Sequence, residues 1–193
     1  GRFAPLGSRH NVRHWGDSAK QLRISTVANR RFLYYLTADE RIGELMDEQI
    51  EGVRTLQRVP PGRKIGQKPA SDPRYVSLYF GTDWGAVAAA WLTAWERRND
   101  PEMRQRLLNS MQSIAAQPHG FFTGLSEMDI DTGAFRQAPK DQLFISHLSA
   151  VFGLAEICSE LLQVLPDKSF SDAWLEYCRL YNDLPACSSR LKL

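Results

Sequence analysis

The stretch DWGAVAAAWLTAWERRNDPEMRQRLLNSMQSIAA, residues 83–116, decides the fold. Asp83 is placed to cap a helix over 84–98, in which Trp84, Val87, Ala88, Trp91 and Trp95 recur at i, i+3, i+4, i+7 and i+11. Asp100 is a second cap and Pro101 sits at the first helical position, where its missing N–H costs nothing. The helix it opens runs to about Ala116, with Met103, Leu107, Met111, Ile114 and Ala115 on one stripe. Two helices joined by so short a link must fold back as an αα-hairpin. Tryptophans at this spacing are core residues, and only Trp84, in the first turn, is placed to face a ligand.

Outward from this hairpin the pattern repeats. A first helix is expected over 18–36 behind Asp17 or Ser18, with Leu22, Ile24, Val27, Ala28, Phe32, Leu33 and Leu36 spread around it. Apolar residues on more than one side imply burial by neighbours on both. Thr37 and Glu40 form a capping box for a second helix, about 38–57, with Ile42, Leu45, Met46, Gln49, Val53 and Leu56 along one face. A fifth helix spans 141–165 through Phe144, Leu148, Val151, Phe152, Ala155, Cys158 and Leu162, and Pro166 stops it. The sixth, about 170–183, carries Trp174, Tyr177, Cys178 and Tyr181. Between hairpins lie two long connections, 58–81 and 118–140. In the second, Phe121–Gly124 and Ala134–Arg136 are expected to pair about Asp131-Thr132-Gly133.

The fold class is therefore all-α, an αα-hairpin repeat of the (α/α) toroid kind, with a small β-hairpin in a long loop. Residues 1–193 form one domain of about six helices. Three hairpins make half a ring, and half a ring leaves unburied helix faces. The expected partner is a missing half of the toroid or a second copy in a homo-oligomer.

Alternating short and long links put the starts of helices 1, 3 and 5 at one end, with both long loops. Three polar segments precede those starts: Arg9–Asp17, Tyr75–Trp84 and Arg136–His147. The first packs two His, two Arg, one Asn, one Trp and one Asp into nine residues, beside a helix N-terminus whose free N–H groups suit anions. Tyr34 and Tyr35 lie about 24–25 Å along their helix at 1.5 Å per residue and are assigned to packing.

Composition excludes other classes. A net charge of +2, with bases and acids interspersed, gives no basic face for nucleic acid. No apolar run of about 18 residues is present to cross a membrane. The chain opens at Gly1 rather than Met and reads as a processed or excised piece, so the lack of a signal peptide decides nothing. Of Cys158, Cys178 and Cys187, the first two fall on apolar helix faces as small core residues, and no disulfide framework follows.

Several separate segments carry a resemblance. Arg9–Asp17, Arg30–Arg41, Asp83–Gly85 with Trp91–Glu96, Gly120–Gly124 and Ser146–Leu148 together resemble the YetA-like exo-rhamnogalacturonan lyases, in their α/α-toroid domain. The resemblance implies an extracellular, pectin-degrading polysaccharide lyase. Its partner would be an acidic plant cell-wall polysaccharide, cleaved from a chain end by β-elimination at a uronate.

That reaction needs the carboxylate neutralised, a base for the adjacent C–H, and an acid for the leaving oxygen. Arg9 and Arg13 suit bidentate pairing with the carboxylate. His10 or His14 suits proton transfer near neutral pH. Asn11 is placed to hydrogen-bond the carboxylate or a hydroxyl, and Trp15 offers a flat face to a sugar ring. Tyr75, Tyr79 and His147 are candidates for the acid, while Asp17, Asp83 and Trp84 complete the substrate-binding set. His10 and His14 have helical metal-pair spacing but lack a third ligand. Asp129-x-Asp131-x-Gly133 reads as a hairpin turn rather than a calcium loop. The expectation is no resident cofactor, with calcium the one ion left open. Two other readings stand beside the lyase: a glycoside hydrolase using Asp17 and Asp83 as its two carboxyls, and a truncated, non-catalytic module that binds carbohydrate or protein.

Overall fold

Short acidic caps set three of the six described helix starts. The computed structural model describes residues 27–58, 70–144 and 153–183. In chain order its elements are α1 (Val27–Thr37), α2 (Glu40–Gly52), β1 (Tyr75–Tyr79), α3 (Gly85–Arg98), α4 (Pro101–Ala115), β2 (Leu125–Asp129), α5 (Leu154–Val164) and α6 (Lys168–Asn182). Asp100 accepts from the N–H groups of Glu102 (2.9 Å) and Met103 (3.3 Å) to start α4, with Pro101 at N1 as the sequence predicts. Asp167 accepts from Phe170 N–H (2.9 Å) and starts α6 slightly earlier than expected. For α2 the cap is Asp39, which accepts from Arg41 N–H at 3.0 Å. The predicted Thr37–Glu40 box does not form, because Ala38 turns left-handed (φ 52°) and leaves Thr37 outside the new helix, its hydroxyl accepting from Asp39 N–H. No helix among the described residues is long and apolar enough to cross a membrane.

Helix α3 is the hub. Gly85 to Ala94 are buried without interruption, and α1, α2, α4 and α5 all pack on it, while α6 packs on α4. Such a helix, apolar on every side, must be enclosed. Two contacts fix the directions of the odd-numbered helices. At one end a Cβ on Gly85 would lie 3.5 Å from Leu154 Cα, so the starts of α3 and α5 touch. At the other, Arg31 of α1 reaches Glu96 of α3 (3.4 Å) and donates a hydrogen bond to Glu160 of α5. Helices α1, α3 and α5 thus run parallel in one row. Burial alone would lower the Arg31 pKa, but the hydrogen bond to Glu160 and the charges of Glu160 and Glu96 hold it above its ordinary value.

The two long connections meet each other rather than folding back separately. Strand β1 pairs with β2 antiparallel, Tyr75 opposite Asp129 and Tyr79 opposite Leu125. The expected small hairpin is present, but Ala134–Arg136 pair with Glu127–Asp129 in place of Phe121–Gly124. The turn at Asp131-Thr132-Gly133 is present, with one bridge between Met128 and Phe135, but Phe121–Thr123 belong to a 3₁₀ turn, Gly120–Thr123. The reason is aromatic. Phe121 is the centre of a cluster with Trp84 (6.1 Å), Phe170 (5.7 Å), Trp174 (5.3 Å) and Tyr177 (5.5 Å) that docks α6 under the start of α3. Pulled inward by these rings, the segment is not free to serve as a strand.

Beyond the sheet, residues Arg136 to Gln142 form a strap held largely by side-chain amides. Gln117 Nε2 donates to the carbonyls of Ser113 and Arg136 (both 3.0 Å), and its Oε1 accepts from Ala138 N–H (3.0 Å). Gln142 Nε2 donates to Thr123 O (3.0 Å) and Leu125 O (2.5 Å). Phe144 follows and is not helical. The fifth helix therefore starts at Leu154, behind left-handed Gly153 (φ 84°), and not at 141. The expected helical residues 18–26 and 145–152 lie outside the described residues.

On α1, Phe32 (56%), Leu33 (51%), Tyr35 (52%) and Leu36 (85%) stand exposed. Cys158 is fully buried and its thiol pKa is pushed well up by burial, as suits a core residue; half-buried Cys178 is raised for the same reason.

Two stability predictions follow from these contacts. At Gly124, φ is +76° and an added Cβ would lie 2.2 Å from Phe144 Cβ. Gly124→Ala is expected to lose about 2 kcal/mol or more in urea unfolding, from left-handed strain plus overpacking. Gly120→Ala, whose Cβ would meet Ala173 Cβ only at 3.7 Å, should lose less. At α6, hydrogen bonding from Phe170 N–H and Gln112 holds the Asp167 carboxyl below its ordinary pKa. A depressed folded pKa contributes stability above the unfolded value and loses it as pH falls through the folded one. Asp167→Ala should therefore cost about 1 kcal/mol at neutral pH, and the gap should close as the pH drops below about 4.

Candidate functional site

Strand alternation divides β1 into two faces. Val76 and Leu78 are buried in the core, whereas Tyr75, Ser77 and Tyr79 share the outer face with their partners Asp129, Glu127 and Leu125. The strap runs along this face. Between strap and sheet lies a hollow of about 240 Å³, lined among others by Ser77, Glu127, Arg136, Gln137 and Gln142.

Arg136 is the best-held cation here. It pairs with Glu127 (2.7 Å) and Asp72 (3.8 Å), and its guanidinium sits 3.5 Å from the centroid of the Tyr75 ring. Arg74 lies over the same ring at 4.8 Å, donates to the Tyr75 hydroxyl and pairs with Asp129 (3.3 Å). Hydrogen bonding to Tyr75 is the main cause that raises the pKa of both guanidiniums, with the nearby carboxylates adding to it. Both stay charged at any working pH, as arginine does.

Tyr79, at the other end of the strand, is half-buried, and its ring packs against Phe144 (centroids 5.1 Å apart), which is 41% exposed. From here the chain enters α3 through a π-helical turn, Phe80–Trp84. Asp83 is completely buried, and its carboxylate reaches back to accept from Tyr79 N–H at 3.0 Å. It braces this turn rather than capping α3, which corrects the expected cap. Trp84 is also completely buried, against Phe121 and Phe170 (5.9 Å). The expected ligand-facing position is closed to it, because the π turn rotates its indole into the aromatic cluster. Its Nε1 has no hydrogen-bond partner among the described residues. Tyr75 is 8% exposed under its two guanidiniums, so little of its ring is open to a sugar.

Two of the three polar segments placed at this end are thus in contact: Tyr75 with Arg136, and Tyr79 with Phe144. Arg9, His10, Asn11, Arg13, His14, Trp15, Asp17 and His147 lie outside the described residues. Sequence reasoning passed over Glu127, Gln142 and His119. Glu127 had a legible signal, the alternation of Leu125-Ser-Glu-Met-Asp129. Phe144 was assigned to a helical core stripe because its spacing to Leu148 fits one. In the suspected calcium loop, Asp129 Oδ1 accepts from Asp131 N–H (2.9 Å) and Thr132 N–H (3.1 Å), the hydrogen bonding of a turn.

Comparison with known proteins agrees with the architecture. Residues 1–191 match the family described as "PcRGLX-like protein C-terminal alpha/alpha toroid domain". Over 182 residues the chain is 31% identical to the uncharacterized protein YetA of Bacillus subtilis (strain 168), a match covering 94% of this chain and 21% of that protein. The chain spans about a fifth of the length of this relative. By its parallel row of hairpin helices and by these matches, the chain belongs to the PcRGLX-like family, as its C-terminal alpha/alpha toroid domain.

Proposed function

We propose that this domain serves a polysaccharide lyase, which cleaves rhamnogalacturonan-type pectic chains outside the cell by β-elimination at a uronate. The observation that carries the reading is the meeting of the Tyr75–Trp84 and Arg136–Phe144 segments where α3 and α5 begin, beside a sugar-sized hollow. An arginine over an aromatic ring, an exposed phenyl group and several amides are what an acidic sugar needs for recognition.

In the reaction, arginine neutralises the uronate carboxylate and so acidifies the neighbouring C–H. Arg9 and Arg13 are assigned this part. A histidine of the same segment, His10 or His14, takes the proton. The electron pair becomes a carbon–carbon double bond as the glycosidic C–O bond breaks, and the Tyr79 hydroxyl protonates the departing oxygen. Arg136, Asn11 and Trp15 hold the sugar. Calcium is a second means of neutralising the carboxylate, and adding and removing it in the assay tests that part. The hydrolase reading is weaker, since Asp83 is buried and hydrogen-bonded to the backbone rather than placed across a scissile bond.

The test is turnover of rhamnogalacturonan oligosaccharides, followed by the ultraviolet absorbance of the unsaturated product. His10→Ala and His14→Ala should each abolish turnover without unfolding the chain, and Tyr79→Phe should lower kcat by about 10²-fold or more. Near wild-type rates in both histidine variants would remove the first segment from the mechanism. Saturated products would indicate a hydrolase, and binding without turnover a carbohydrate-binding module.

A further inference from the structure

Two ion pairs cross the outer face of the sheet, and they differ in how firmly the carboxylate is held. Asp129, paired with Arg74, is only 15% exposed, and its Oδ1 also accepts from the Asp131 and Thr132 N–H groups. The turn fixes it. Glu127 lines the hollow beside the strap, and its carboxylate accepts from Arg136 Nη1 at 2.7 Å. Both side chains of this second pair reach solvent, Glu127 at 35% and Arg136 at 45%. Ion pairs so exposed contribute little net stability, so this one opens at little cost.

Arg136 does not depend on the Glu127 carboxylate for its place. Its guanidinium rests 3.5 Å from the centroid of the Tyr75 ring. Its N–H donates to the Glu127 main-chain carbonyl at 2.8 Å, and its own carbonyl accepts from Gln117 Nε2 (3.0 Å) and Ser126 Oγ (2.6 Å). Further along the strap, His119 Nε2 donates to Lys140 O at 2.6 Å. Asp72 stands 3.8 Å from Arg136 Nη2, beyond hydrogen-bond reach. The cation is thus parked by a ring and by main-chain bonds, with an exchangeable carboxylate on its fork. Such a fork suits a second carboxylate arriving from a ligand.

We propose that Glu127 is an internal stand-in for the ligand's carboxylate. It holds the Arg136 fork until a uronate arrives, then yields the guanidinium and turns to solvent. The proposal rests on the assignment of Arg136 to the sugar above, and adds the residue that sets how tightly a charged sugar is held. Glu127 competes with a uronate and is indifferent to a neutral sugar.

NMR titration of the full chain tests it, with D-galacturonate as the charged probe and D-galactose, in which a hydroxymethyl group replaces the carboxylate, as the neutral one. In the wild-type chain galacturonate should shift the side-chain carboxyl carbon signal of Glu127, and galactose should leave it in place. Glu127→Gln removes the competing charge and should tighten galacturonate binding about three- to fivefold, with no gain for galactose. A brace for Arg136 or a direct sugar contact at Glu127 would have the opposite effect, weaker binding in Glu127→Gln. That result overturns the exchange, and so does an unmoved Glu127 carboxyl signal when galacturonate is bound. Arg136→Gln separates this proposal from the reading beneath it. If Arg136→Gln weakens galacturonate binding while Glu127→Gln fails to tighten it, the exchange falls and Arg136 keeps its place at the sugar. If Arg136→Gln leaves galacturonate binding unchanged, or galacturonate does not bind, both fall.

Discussion

Helix α3 has no face it can give to water, and the rest of the molecule follows from that. Ten consecutive buried residues, several of them alanine, let four neighbouring helices approach closely on all sides. Hydrophobic burial at roughly 25 cal/mol per Å² rewards that enclosure, yet it says nothing about which way the neighbours run. Direction comes from the two ends of the row. Gly85 permits contact with Leu154 at the start, and Arg31 joins Glu96 and Glu160 at the finish. A buried guanidinium between two carboxylates contributes little net energy compared with apolar packing. Its effect is on register, because any slip between these helices would strand a charge.

Once the row is set, the two long crossings have one place to go. Each connects the end of an even-numbered helix to the start of an odd-numbered one, so both lie over the same end of the row. Pairing β1 with β2 satisfies their backbone groups there. The outer face of that sheet is what remains for chemistry, and the strap gives it a second wall.

Helix number, the Asp100 cap and the meeting of two of the three polar segments were legible in residue spacing. Asp100-Pro101 could be read at sight, since a short acid before a proline has few other uses. What spacing could not convey was any contact between distant segments. Nothing in Tyr75–Tyr79 names Leu125–Asp129 as its partner, because strand pairing depends on where helices leave the chain ends. Trp84 and Asp83 were misplaced for a related reason. A π turn adds a residue to the helical count, which rotates every side chain before α3, and no local pattern announces it. Phe144 shows the reverse error, an apolar residue in helical register that is not itself helical. Residues of the first polar segment carry most of the proposed chemistry, and their composition was the clearest functional signal in the chain.

The manner in which the strap is tethered bears on how such a domain diversifies. Gln117 and His119 hold the strap through its main-chain atoms at Arg136, Ala138 and Lys140, not through the side chains of those residues. The side chains at Ala138, Lys140 and Asp141 are then free to drift under selection while the loop keeps its course. A lineage could retune which sugar it prefers by altering these few positions, and the scaffold beneath would not register the change.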